Sequence, residues 1–246
     1  YASYSLSERR AAVEKELQLQ PRLQCIASLV PQGARLADVG TDHGYLPVWL
    51  LQHGRIESAI ASDINALPLD HARATAREYG VTERMDFRLC PGLAKIKAEE
   101  CDAIAIAGMG GETILGILEA APWTHEGVHT LILQPQSAGQ ALRQYLAEHG
   151  FAIEREALAK DGHFFYTVLR AKKGSMPPLS PGQQYASPQL LREGGPLLGP
   201  YLARIEAALA GTVQGLQKAD EPEKLCYYET ALAEIREMRK HHDDRS

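Results

Sequence analysis

Two acids, two glycines, a histidine and a tyrosine fall within the run ADVGTDHGYLP, residues 37–47. An apolar stretch precedes it and another, VWLL, follows, so the run reads as a turn from a strand into a helix. Turns of this kind hold small-molecule cofactors in open α/β sheets. The glycine spacing selects among cofactors. A nicotinamide fingerprint, G-x-G-x-x-G, brings backbone amides up to a pyrophosphate at the helix N-terminus. Here Gly40 is followed by Thr41, Asp42, His43 and Gly44, and an acid stands where the second glycine would be. A phosphate beside Asp42 would be repelled. S-adenosylmethionine (AdoMet) has no phosphate and carries an ammonium and a sulfonium, which suit an acidic, glycine-bearing turn. On this reading Gly40 lets backbone pass beneath the ligand, and Asp38 meets the ammonium directly or through water.

Further strand ends carry matching signals. SAIASDI ends in Asp63, 23 residues after Gly40, a spacing at which a carboxylate binds ribose hydroxyls. The turn Pro91-Gly92-Leu93 follows a third apolar run, where its backbone can touch an adenine edge. AGMGGE supplies Gly108, Gly110 and Gly111 at a fourth strand end, beside the switch point where such sheets bind substrates. LILQPQS ends a fifth, and the Gln134 amide next to Pro135 can bond a base edge or a ligand. Many amino-methylating enzymes carry an Asn/Asp-Pro-Pro-aromatic motif after the fourth strand; this chain has none. The expected cofactor residues at these turns are Asp38, Gly40, Thr41, Asp63, Ile64, Gly92 and Leu93. Gly110, Gly111, Gln134 and Pro135 are expected to face the substrate, and no metal site is expected.

The elements that must position these residues alternate along the chain. Residues 6–30 read as one or two helices, with Pro21 at a helix start. Five strand–helix units follow, beginning at ARLADVG, SAIASDI, MDFRLC, DAIAIAGMGG and HTLILQP, the third with a short helix to Glu99. That alternation demands a parallel, doubly wound sheet. FAIEREALAKDGHFFYTVLRAKK then reads as a hairpin around Asp161-Gly162, so that the sheet ends in an antiparallel strand, the habit of AdoMet-dependent methyltransferases. On that hairpin His163, Phe164, Phe165 and Tyr166 read as sheet packing. The Pro/Gly/Ser-rich residues 174–188 read as a linker between a domain at 1–173 and one at 189–246. In the latter, Leu198, Leu202, Ile205, Leu209, Val213 and Leu216 form one apolar stripe. Leu225, Tyr228, Leu232, Ile235 and Met238 form another, giving an antiparallel, coiled-coil-like helical hairpin.

The 246 residues, 45% hydrophobic, suffice for one α/β domain and an appendage. No apolar run approaches the ~20 residues that span a bilayer, and the charged opening YASYSLSERRAAVEKEL, which starts without Met and reads as trimmed, has no signal-peptide core. The four cysteines, Cys25, Cys90, Cys101 and Cys226, are scattered without a C-x-x-C pair, which argues against zinc and for a reducing, cytoplasmic setting. A net charge of −5 lends nucleic-acid binding no support, although a local basic patch would suffice.

Taken together, DVGTDHGYLP, SDINALPLDHA, GMGGETI, LILQPQ followed by LRQYLAEHGF, and REGGPLL resemble the bacterial tRNA (adenine-22-N1)-methyltransferases. The resemblance runs from about Leu6 to about Arg239. It implies a Rossmann-like class I methyltransferase with a seven-stranded sheet and a C-terminal helical domain, AdoMet as methyl donor and N1 of a tRNA adenine as acceptor. It places Gly40, Asp42, Asp63, Gly92 and Gly108, with Met109, in the cofactor pocket, and Asp42, His43, Tyr45 and the Gly108–Gly111 turn against the incoming base. The family often has Asn-Gly-Leu where this chain has Pro91-Gly92-Leu93.

Adenine N1 attacks through an in-plane lone pair, so no base is required. Asp42 then stabilises the cationic product, Tyr45 stacks on the base, and His43 serves either as a base or as a loop-bonding structural group. The expected tRNA contacts are Arg9, Arg10, Lys15 and Arg22, with Arg73, Arg77 and Arg84. The expected assembly is a monomer or weak homodimer. Another methyl acceptor, a nicotinamide-dependent oxidoreductase and a non-catalytic RNA-binding protein stay open as alternatives.

Overall fold

A computed structural model describes residues 16–244, so the expected helix in residues 6–15 lies outside the described residues. Residues 16–20 form no helix, which corrects that part of the helical reading of residues 6–30, and Leu17 and Leu19 are buried while their neighbours are exposed. Helix α1 (Pro21–Leu29) then starts on the proline, whose missing N–H costs a first helical turn nothing.

Seven strands form one sheet in the order β3-β2-β1-β4-β5-β7-β6. Five are parallel: β1 (Ala34–Val39), β2 (Ile56–Asp63), β3 (Met85–Leu89), β4 (Ala103–Gly110) and β5 (Thr130–Ser137). The hairpin of β6 (Phe151–Asp161) and β7 (Phe164–Lys173) closes the edge, with β7 antiparallel to both β5 and β6. The period of two along each strand builds two different faces. Leu36, Ala103, Ala105 and Ile132 meet α1 and α2 (Tyr45–Gln52) on one side. On the other, Ile104, Ile106, Leu131 and Leu133 meet α4 (Gly111–Glu119) and α6 (Gly139–Glu148). Helix α3 (Ala66–Glu78) links β2 to β3.

Two further local expectations are corrected. No α-helix follows β3: Gly92 takes φ +52° in the turn after Pro91, and one 3-10 turn at Ala98–Glu100 is all that the segment reaching Cys101 accommodates. A one-turn helix α5 (Trp123–Glu126) intervenes before β5, too short for periodicity to reveal.

Beyond the sheet lie α7 (Pro188–Glu193), α8 (Leu198–Leu216) and α9 (Pro222–Asp243). The anticipated stripes meet: Leu198, Leu202, Leu209 and Val213 of α8 share a third core with Leu232 and Ile235 of α9, and Leu158 and Phe165 of the hairpin pack against it. The segment 174–188 carries buried Gln184, Ala186 and Ser187. Arg143 of α6, buried, donates from Nε to Glu156 of β6 at 3.0 Å and from Nη1 to the Gln184 carbonyl at 3.1 Å. The other oxygen of Glu156 accepts from Ser187 Oγ, which in turn caps α7 by accepting from Leu190 N at 3.1 Å. One buried ion pair thus ties the sheet to the helical region. Removing one partner strands the other charge in low dielectric, so Glu156→Ala should cost about 3–5 kcal/mol, measured as a lower urea midpoint of unfolding.

Candidate functional site

The central strand β1 ends in the turn singled out above, and three successive features open it toward ligand. Gly40, Asp42 and Gly44 all take left-handed φ, at +73°, +51° and +69°. Aspartate tolerates that region better than most side chains, and Asp42 and Ala138 are the non-glycine residues that adopt it among the described residues. The amides of Gly40 and Thr41 donate to the Ser62 carbonyl at 2.8 and 3.1 Å, clamping the turn to the end of β2. A Cβ at Gly40 would lie 2.2 Å from the Met109 methyl, so glycine lets the β1 and β4 tips approach.

A cavity of about 650 Å³ opens at this turn, lined by Asp38, Gly40, Thr41, Asp42, His43 and Tyr45 together with Arg22 and residues 16–18. Asp38 is buried, and its Oδ2 accepts from Thr41 Oγ1 at 2.6 Å. Burial pushes its carboxyl up to about 6, against the lowering effects of the Thr41 hydrogen bond and the Arg22 charge. A buried carboxylate in a cavity wall suits an ammonium. On β2, Asp63 is fixed by accepting from Asn65 N at 2.8 Å, and Ile64 beside it is 65% exposed, an apolar surface suited to a planar base. Gly92 and Gly108 hold left-handed φ at the β3 and β4 ends. This set fits AdoMet: carboxylates for its cationic and ribose groups, glycine turns for close backbone approach.

The aromatic residues lie at the rim. Tyr45 is 41% exposed, and the His43 ring stacks on it with centroids 5.2 Å apart. The Asp42 carboxylate is largely exposed, 3.6 Å from His43 Nε2.

Several expected site residues serve the scaffold instead. Gln134 is fully buried: its Oε1 accepts from Gly108 N at 3.1 Å and Arg22 Nη1 at 2.9 Å, and its Nε2 donates to the Pro135 carbonyl. It therefore shapes the β4 tip and offers no surface to a substrate, and Pro135 is buried beside it. The Leu93 side chain packs into the core under α4, and Pro91, Gly92 and Leu93 line a small cavity with Ile117 of that helix. Gly111 is a packing glycine, since a Cβ there would meet the Ala138 carbonyl at 2.5 Å, and Gly110 lies against Ser137.

Among the arginines, Arg9 and Arg10, like Lys15, fall outside the described residues. Arg22 lies in the cavity wall, over the Tyr166 ring, rather than on an outer RNA-facing surface. A cation in the first turn of α1 opposes the helix dipole, which is the sequence signal that it answers to something beyond its own helix. Arg73 covers Phe87 at 4.6 Å and Arg84 donates to the Leu51 carbonyl at 2.9 Å, so both have packing roles.

Residues 19–169 match the family described as "Methyltransferase domain". The chain is 35% identical to the tRNA (adenine(22)-N(1))-methyltransferase of Bacillus subtilis over 194 residues, 79% of each chain. The crystal structure of that organism's m1A22 tRNA methyltransferase TrmK superposes with a TM-score of 0.81 at 29% identity, covering 91% of this chain and 100% of that one. Streptococcus pneumoniae Sp1610, in a structure with S-adenosyl-L-methionine, matches with a TM-score of 0.79 at 33% identity, covering 90% and 100%.

The buried carboxyl sets a pH test. In the ligand-free fold Asp38 keeps its proton to about 6, whereas unfolded it loses it near 3.8. The folded state binds more protons across that window, so this group weakens folding as pH rises through it. Asp38→Asn should therefore melt higher than wild type at pH 8 without ligand, the gap closing toward pH 4. AdoMet should stabilise the variant far less, as read by thermal melts with and without ligand.

Proposed function

The chain belongs to the tRNA (adenine(22)-N(1))-methyltransferase family, and on that premise we propose that it methylates N1 of adenine-22 in tRNA. The observation that carries the reading is the cavity at the β1 tip, with a buried carboxylate inside and an exposed carboxylate and tyrosine at its rim. When bound, AdoMet supplies an electrophilic methyl on a sulfonium. Asp38 holds the ammonium, Asp63 the ribose hydroxyls, and the Gly92 and Gly108 turns give the ligand close backbone contact.

Adenine N1 is tied up in a Watson–Crick pair, so the base enters unpaired or flipped out. Tyr45 stacks on it. The N1 lone pair forms the new N–C bond as the C–S bond breaks, with no proton to remove. The ring then carries positive charge, and the Asp42 carboxylate stabilises that charge as it develops. His43 needs no base role in this scheme. The remaining work is positioning. A cytoplasmic setting and a monomeric or weakly dimeric state go with this reading. Every group named comes from one chain, and no metal is invoked.

Incubation with AdoMet and unmodified bulk bacterial tRNA, followed by nucleoside mass spectrometry, should yield 1-methyladenosine. A different methylated nucleoside, or none, would overturn the assignment. Asp42→Asn should lower turnover at least about tenfold, roughly 1.4 kcal/mol of barrier, with AdoMet binding retained by calorimetry. Unchanged turnover would remove Asp42 from the chemistry.

A further inference from the structure

The rim turn does not hold its shape alone. Helix α3 backs it at two adjacent residues. The His71 ring stacks on His43 with centroids 4.8 Å apart and planes within 1° of parallel. Ala72 lies directly over Gly44, where an added Cβ would meet the Ala72 Cβ at 3.0 Å. His43 is thus the shared member of a three-ring run, Tyr45–His43–His71, and its Nε2 is the atom that faces Asp42 at 3.6 Å. His43 and Tyr45 line the cavity, whereas His71 does not. An exposed imidazole on its own would sweep several rotamers, and a parallel ring on α3 restricts it.

We propose that His71 is a positioning residue for methyl transfer: it fixes the His43 ring, and through it the Asp42 carboxylate and the Tyr45 ring that receive the adenine. The inference rests on the functional reading above. The Ala72–Gly44 contact sets the backbone height of the turn, and the His71 ring sets the side-chain geometry above it. Its contribution is that of one aromatic pair, which corresponds to about three- to tenfold in rate. It acts on the transition-state geometry and so on kcat, leaving AdoMet affinity and fold stability in place.

The test is steady-state 1-methyladenosine formation by wild type, His71→Ala, His71→Phe, His43→Ala and the double variant His43→Ala/His71→Ala. The proposal expects His71→Ala to lose about three- to tenfold in kcat, with KM for tRNA, AdoMet affinity and melting temperature unchanged. His71→Phe, which keeps a flat ring, restores the rate. In the His43→Ala background His71→Ala costs nothing more, because the partner through which it acts is gone. Wild-type kcat in His71→Ala overturns the proposal and leaves the functional reading standing. So does a loss that follows melting temperature or AdoMet affinity, or additive losses in the double variant. A wild type that forms no 1-methyladenosine overturns both readings.

Discussion

Burying the Asp38 carboxylate at the end of the central strand is unfavourable in the ligand-free fold, and much of the surrounding structure moderates that cost. The following turn supplies Thr41, which returns a hydroxyl to the carboxylate. Left-handed backbone at Gly40, Asp42 and Gly44 reverses the chain within a few residues, so that α2 can start without covering the acid. Arg22 comes from a separate helix, its positive charge favouring the ionised carboxylate, and it is anchored by Gln134 from β5. The Gln134 carbonyl oxygen also receives the Gly108 amide, so three elements are registered around one side chain.

Much of this was legible in the residues themselves. Alternation of apolar runs with helical patterns fixes five parallel strands, and the Asp161-Gly162 turn fixes the antiparallel end. Glycines and acids at strand tips carry the proposed cofactor side, and the left-handed turns at Gly40 and Gly44 are legible from residue type because that chemistry is local. What escaped was non-local. Gln134 reads as a ligand-binding amide, yet its partners lie 26 and 112 residues away. Arg22 reads as a surface cation because the groups that it meets, Gln134 and Tyr166, lie on distant strands. His71 reads as an ordinary exposed helix residue until α3 is laid against the β1–α2 turn. The Leu93 side chain and Gly111 answer to packing, which spacing alone does not separate from binding.

The two faces of the sheet divide the labour. Ala59, Ala103 and Ala105 on the α1–α2 face let those helices sit close to the strands, and the cavity opens on that side. Bulkier Ile104, Ile106, Leu131 and Leu133 fill the opposite face under α4 and α6. The helical region joins the sheet at the hairpin edge, where Glu156 gathers Arg143 and Ser187. Helix α1 spans the two sides, since Arg22 in the cavity wall also lies over Tyr166 of the hairpin.

The placement of β7 governs how the chain can be assembled as it is synthesised. β7 is last in the sequence of strands yet sits between β5 and β6, and β6 has β7 as its partner in the sheet. Until Lys173 has left the ribosome, the outer edge of β5 is bare and β6 has no strand to pair with. Unpaired edges invite the wrong neighbour. The nascent chain thus carries this open edge from the end of β5 to the end of β7, and insertion of a single strand closes it in one step.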